Sequence, residues 1–131
     1  MVIDASAVLA ILLGEKDAQV FARAIENADP CRMSAVNHLE AALVIDNRGD
    51  AVARREFDRF VRRARIQIEP VTFEQAQIAR EAYRDFGKGR HPARLNLGDC
   101  FAYALAKLVD EPLLFKGRDF SRTDIRLAPS G

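Results

Sequence analysis

The sequence predicts an α/β protein, a sandwich of helices around a mostly parallel sheet. Three observations carry that reading. Short runs at Val2-Ile3, Cys31 to Ser34, Gln67 to Val71 and Leu113 to Phe115 read as strands, and long helical segments separate them. Those intervening segments repeat apolar residues at helical spacing. The chain has 131 residues, 49% of them hydrophobic and 30% charged, with no internal repeat, linker or low-complexity tract. That fits one soluble domain spanning residues 1–131.

Each element follows in order. Val2-Ile3 is a short buried strand ending on Asp4. Ala7 to Leu13 is an apolar helix stopped by Gly14. Asp17 to Ala28 is amphipathic, with Val20, Phe21, Ala24 and Ile25 on one stripe. Asp29-Pro30 turns the chain into the second strand, Cys31 to Ser34. Asn37 to Asn47 is a strongly apolar helix closed by Arg48-Gly49-Asp50. Ala51 to Ala64 is amphipathic again, its stripe made by Ala53, Phe57, Phe60, Val61 and Ala64. Gln67 to Val71 alternates like a strand, and Thr72 caps a helix running to about Phe86. A loop from Gly87 to Pro92 leads to a helix opened by Asn96 and running to about Val109. Leu113 to Phe115 is the last strand. A loop from Gly117 to Asp124 and a short extended piece near Ile125 to Ala128 finish the chain.

Composition excludes several classes. No apolar run reaches the length of a membrane span. No basic segment precedes an apolar run at the N-terminus, so no signal peptide is expected, and the protein is expected in the cytoplasm. Cys31 and Cys100 stand in no metal-like spacing, and two reduced thiols are expected. His38 and His91 alone are too few for a typical zinc site. The net charge of +1 lacks the basic excess of many nucleic-acid binders. That balance hides a local crowd of Arg54, Arg55, Arg59, Arg62, Arg63 and Arg65.

Three acids occupy unusual surroundings. Asp4 is the only charged residue from Met1 to Gly14, Glu40 from Met33 to Ile45, and Asp99 from Leu95 to Ala106. Average composition would put roughly three or four charges in each window. Desolvating an unpaired carboxylate is costly, so three such acids in one small domain ask for a shared explanation. In open α/β folds ligands bind beyond the carboxyl ends of the strands. Asp4 ends the first strand, Asp119 follows the last, and Glu40 and Asp99 sit early in two helices. Converging there, the acids would repel one another until a divalent cation neutralised them. All-oxygen ligation suits Mg²⁺ or Mn²⁺ and would serve phosphodiester cleavage.

Plainer readings stand beside this one. Asn37-x-x-Glu40 and Asn96-x-x-Asp99 both match a capping box. Asp4 and Ser6 could simply cap the following helix. Asp119 shares its loop with Lys116, Arg118 and Arg122 and could be a surface ion pair, and Asp124 competes with it as the fourth acid. The arginine stripe reads first as a solvated helix face and second as a phosphate-tracking surface. Lys88, Arg90 and Arg94 form another candidate RNA contact. His38-x-Glu40 lacks the downstream Pro-Cys-x-x-Cys of a zinc deaminase, and no Walker-type loop is present. Ser6 and Ser34 have no evident His-plus-acid partnership.

Val2 to Ala7, Ser34 to Glu40, Leu97 to Ala104 and Leu113 to Asp119, in that order, resemble PIN-domain proteins. More narrowly, the chain is similar to VapC toxins of bacterial type II toxin–antitoxin systems. Asn96-Leu97-Gly98-Asp99-Cys100 and Leu114 to Phe120 are the most specific stretches. The resemblance implies a PIN-like α/β/α sandwich and a Mg²⁺- or Mn²⁺-dependent endoribonuclease. Such an enzyme cleaves cellular RNA (tRNA, rRNA or mRNA) and inhibits translation. It implies Asp4 and Asp99 as metal ligands, Glu40 and Asp119 as the remaining catalytic acids, and Ser6 as support for the first acid. It also implies a VapB-like antitoxin whose C-terminal segment covers the active-site groove, a homodimer, and a toxin–antitoxin hetero-oligomer. The alternatives are a PIN-like nuclease acting on DNA or in RNA processing, and a non-catalytic RNA-binding module that needs no metal.

Overall fold

A computed structural model describes residues 1–129. Four strands, β1 (Val2–Ile3), β2 (Cys31–Ser34), β3 (Ile66–Glu69) and β4 (Leu113–Leu114), form one sheet in the order β3-β2-β1-β4. Every pairing is parallel, so the expected mostly parallel sheet is wholly parallel here. Val2 stands opposite Arg32 and Leu113, and Ile3 opposite Leu114. The carboxyl ends of all four strands therefore share one edge. Six helices complete the chain: α1 (Ala5–Leu12), α2 (Ala18–Glu26), α3 (Ala35–Asp46), α4 (Ala51–Arg63), α5 (Phe73–Phe86) and α6 (Leu97–Val109).

Successive strand residues face opposite sides, and the core divides accordingly. Ile3 and Leu114 pack with Met33, Ile45 and Phe57 among α1 to α4. Val2 and Leu113 pack with Ala79, Leu105 and Phe120 among α5 and α6. Covering both faces explains why β1 and β4 are apolar without alternation. Complete burial of Leu113 contributes about 1.5–3 kcal/mol. Cys31 and Cys100 are free, buried, and assigned to different halves of this core.

Capping chemistry fixes where the helices begin. α1 starts at Ala5 rather than Ala7, because Asp4 itself is the cap and accepts the Ser6 N–H. α3 starts at Ala35 rather than Asn37, because the Ser34 hydroxyl accepts the Val36 N–H. Asn37 thus becomes an interior helix residue and its capping box does not form. The Asn96–Asp99 box does form, with both reciprocal hydrogen bonds present. β3 starts one residue early, at Ile66, and stops at Glu69 because Pro70 has no N–H to extend the ladder. Phe115 leaves the sheet after β4. The extended piece near the end makes one bridge, Leu113 to Leu127.

These connections position the site. α1 and α3 leave β1 and β2 at the carboxyl edge. α6 precedes the parallel strand β4 and runs back against it, so its N-terminus lies at the same edge. At the opposite edge Glu111, just ahead of β4, accepts hydrogen bonds from the Met1 α-amino group at 2.7 Å and from Arg32 Nε at 3.0 Å. Arg32 Nη1 also reaches Glu69 at 3.0 Å. Burial pushes the Glu111 carboxyl upward, but these two cationic donors outweigh it and hold it below its ordinary range.

Candidate active site

Asp4 is tied to its surroundings through 110 residues of sequence. Its carboxylate Oδ2 accepts from Ser6 N at 3.0 Å and from Ser6 Oγ at 2.6 Å. Ser6 Oγ in turn accepts the Lys116 N–H at 2.9 Å, from the segment that follows β4. Asp4 is 5% exposed, and burial pushes its carboxyl above the ordinary range. The Ser6 hydrogen bonds oppose that shift, and the charge of Asp119 adds to it.

Glu40 lies early in α3 and is half-buried. Its Oε1 accepts from Asn37 Nδ2 at 2.8 Å, and the same nitrogen donates to the Gly98 carbonyl at 2.9 Å. The carboxylate rests on the α6 backbone: a Cβ at Gly98 would stand 2.0 Å from Glu40 Oε2. Burial raises the Glu40 pKa, the Asn37 hydrogen bond lowers it, and the charge of Asp4 raises it further.

Asp99 is the next residue along α6. Its Oδ2 accepts the Asn96 N–H at 3.0 Å, while Asn96 Oδ1 accepts the Asp99 N–H at 2.9 Å. Its carboxyl is pushed up to about 7, first by burial and then by the charges of Asp4, Asp119 and Glu40, against the Asn96 hydrogen bond. Asp119 is exposed in the loop after β4, at the head of a single 3₁₀ turn, Phe120–Arg122. Its charge reaches both Asp4 and Asp99.

The four sequence-predicted acids therefore lie toward the carboxyl edge, near enough that the charges of Asp4, Asp119 and Glu40 all act on Asp99. Among the described residues none of them forms an ion pair with a side chain of this protein. Lys116, which precedes Asp119 by three residues, turns instead to Glu15 and Asp17. Asp124 stands apart from the group, accepting from Tyr103 Oη and from Lys107 Nζ. Burial opposes its ionisation, yet these bonds hold it below its ordinary range.

Among the described residues no three His, Cys, Asp or Glu side chains stand close enough to grip one cation together as placed. Ser6 holds an oxygen of Asp4, Asn37 an oxygen of Glu40, and Asn96 an oxygen of Asp99. The donor set nonetheless fits a hard divalent ion. Mg²⁺ characteristically takes one or two carboxylates and keeps several waters, so it does not need a closed protein cage.

Lys88, Arg90 and Arg94 are exposed in the loop between α5 and α6. The loop is pinned by Lys88 N–H to the Leu95 carbonyl at 2.9 Å and Leu95 N–H to the Phe86 carbonyl at 3.0 Å. Lys88, Tyr83, Asn96, Leu97 and Phe101 line a groove of about 550 Å³ beside the start of α6. The Arg90 guanidinium lies 5.9 Å from the Tyr83 ring centre. The arginines of α4 are exposed on a solvated face, where Arg54 pairs with Asp46 and Arg59 with Glu56.

Sequence reasoning missed three participants: Asn37 as an interior bridge, Gly98 as the bed for Glu40, and the Lys116 amide that steadies Ser6. Asn37 could have been found as a buried amide in the same apolar window that isolates Glu40. The other two depend on tertiary proximity and leave no local trace.

Comparison with known proteins places these observations in context. A family model described as "PIN domain" matches residues 1–126. Ribonuclease VapC28 of Mycobacterium tuberculosis is 49% identical over 129 residues, covering 98% of this chain and 97% of that protein. Ribonuclease VapC30 of the same species is 52% identical over 126 residues, covering 95% of each. Among solved structures, M. tuberculosis VapC20, described as a sarcin–ricin loop cleaving toxin, superposes with a TM-score of 0.76 at 17% identity, covering 98% of each chain. A toxin–antitoxin complex from Klebsiella pneumoniae superposes with a TM-score of 0.70 at 16% identity, covering 94% of this chain and 92% of that one.

Proposed function

The chain belongs to the PIN-domain family, and on that premise we propose how it works as a VapC-type toxin ribonuclease. Its activity is endoribonucleolytic, and as a PIN nuclease it uses a divalent metal. The observation that carries the site assignment is the set of four acids gathered at one sheet edge without a protein counter-charge. Asp4 and Asp99 hold the metal, Mg²⁺ or Mn²⁺. Bound there, the ion supplies Lewis-acid activation of water and neutralises charge building on the scissile phosphate. Glu40, with its second oxygen free of Asn37, would take the proton of the attacking water as the water oxygen bonds to phosphorus. Asp119 completes the acidic rim from the loop after β4. Ser6 fixes the orientation of Asp4, and through the Lys116 amide it couples that orientation to the end of β4.

RNA enters past the loop carrying Lys88, Arg90 and Arg94. Their charges contact phosphates and position the strand without reading its sequence. Kinship with the VapC ribonucleases supports partnership with an antitoxin. We assign the antitoxin as VapB-like, its C-terminal segment lying over the acidic edge, and the toxin as a cytoplasmic homodimer. No helix among the described residues is long and apolar enough to cross a membrane.

The test is RNA cleavage by purified protein with Mg²⁺ or Mn²⁺, mapped by new RNA ends and compared with Asp4→Asn. Wild type is expected to cut, to stop when the metal is chelated, and to resume when it is restored. Cleavage by Asp4→Asn at the wild-type rate would overturn the assignment.

A further inference from the structure

Asn37 is completely buried, unusual for an amide and costly unless its polar atoms are matched. It has no part in starting α3, since Ser34 caps that helix. Its Nδ2 makes two hydrogen bonds, to Glu40 Oε1 at 2.8 Å and to the Gly98 carbonyl at 2.9 Å. Both partners are acceptors, so the amide is oriented without ambiguity: a flipped side chain would set oxygen against oxygen in each contact. Its Oδ1 is buried without a protein partner. An apolar residue of similar volume would avoid that cost, so the two donor contacts are what the position supplies.

The contacts join two elements that carry different acids. Glu40 stands on α3. Gly98 immediately precedes Asp99 on α6, and its missing Cβ lets the Glu40 carboxylate lie on the α6 backbone. We infer that Asn37 is a positioning residue, holding the Glu40 carboxylate in register with the start of α6 and therefore with Asp99. Without it, repulsion from the Asp4 charge drives Glu40 toward solvent, and α3 and α6 lose a direct link over the site. This inference rests on the metal-dependent reading above and deepens it.

The test is a double-mutant cycle on Mn²⁺ binding by the purified protein, read by electron paramagnetic resonance, alongside steady-state cleavage. Asn37→Ala is expected to weaken Mn²⁺ binding by about tenfold to a hundredfold, the scale of lost outer-shell support, and to lower kcat at saturating metal with KM unchanged. In a Glu40→Gln background the same substitution is expected to leave Mn²⁺ affinity where Glu40→Gln put it. Asn37→Ser retains one donor and is expected to fall between wild type and Asn37→Ala, and it carries the test if Asn37→Ala does not fold. Wild-type affinity and rate in folded Asn37 variants would overturn the inference. So would an equal loss in both backgrounds, which marks general structural damage. Absence of Mn²⁺ binding by wild type is a different result: it overturns the metal reading, and this inference with it.

Discussion

The two edges of the sheet carry opposite electrostatics. At the amino edge Glu111 meets the Met1 α-amino group and Arg32, whose guanidinium also reaches along β3 to Glu69. At the carboxyl edge, among the described residues, Asp4, Glu40, Asp99 and Asp119 form no ion pair. The carboxyl of Glu111 is held low, while those of Asp4, Glu40 and Asp99 are pushed high. Paired acids at one edge stabilise the fold. Unpaired acids at the other destabilise it until a cation arrives from outside. On the proposed reading, the difference separates charge kept for structure from charge kept for chemistry.

The sharpest way to break this comparison is Asp99→Asn. Removing the charge should lower RNA cleavage on the order of a hundredfold to a thousandfold, the scale for losing one electrostatic catalytic group. The same change should raise the Tm of the metal-free protein by a few degrees, as about 1 kcal/mol does in a domain this size. A fall in Tm measured by calorimetry would mean that the carboxylate supports the fold.

pH separates the edges next. Asp99 ionises near 7 in the folded chain, well above the ordinary aspartate value of 3.8. The folded state therefore holds its proton more tightly, and stability is lost as pH rises from about 4 to about 7. Glu111 has the opposite sign: its contribution is present above its ordinary value and is lost as pH falls through its lowered one. Metal-free protein should be most stable in mildly acidic buffer, and saturating Mg²⁺ should flatten the loss toward neutral pH. Urea unfolding across pH, with and without Mg²⁺, measures both arms.

A smaller effect is expected from Glu111→Gln. It should cost about 1 kcal/mol in urea unfolding, since the pairs are only partly buried, and leave cleavage unchanged. The smallest is expected from Arg62→Ala on the solvated face of α4, within about 0.5 kcal/mol in stability. Arg90→Ala, in the loop beside α6, should instead raise the KM for RNA and steepen no other property.

Local chemistry explains what the sequence made legible. Strand ends predicted where Asp4 and Asp119 would emerge, and the Asn96–Asp99 spacing predicted a cap that forms. At Asp99 the cap forms and does not exclude the catalytic reading set beside it: one oxygen of the carboxylate bonds the Asn96 N–H, and burial with the charges of Asp4, Asp119 and Glu40 pushes its pKa up. Asn37 went the other way. Its spacing to Glu40 looked like a cap, but Ser34 was already placed to begin the helix directly from β2. The choice between Asp119 and Asp124 was illegible, because it depends on Tyr103 and Lys107 drawing Asp124 aside.

The strand order has a consequence for how the protein is made. β1, the first strand among the described residues, pairs with β4, the last of them. Ser6, which orients Asp4, waits for the amide of Lys116, 110 positions later. Such long-range closures come late, because the intervening chain must be ordered first. A chain synthesised only as far as α6 therefore has Asp4 and β2 but neither β4 nor the loop that carries Asp119. On the proposed reading, an active site of four acids assembles only after β4 and the loop behind it have been made.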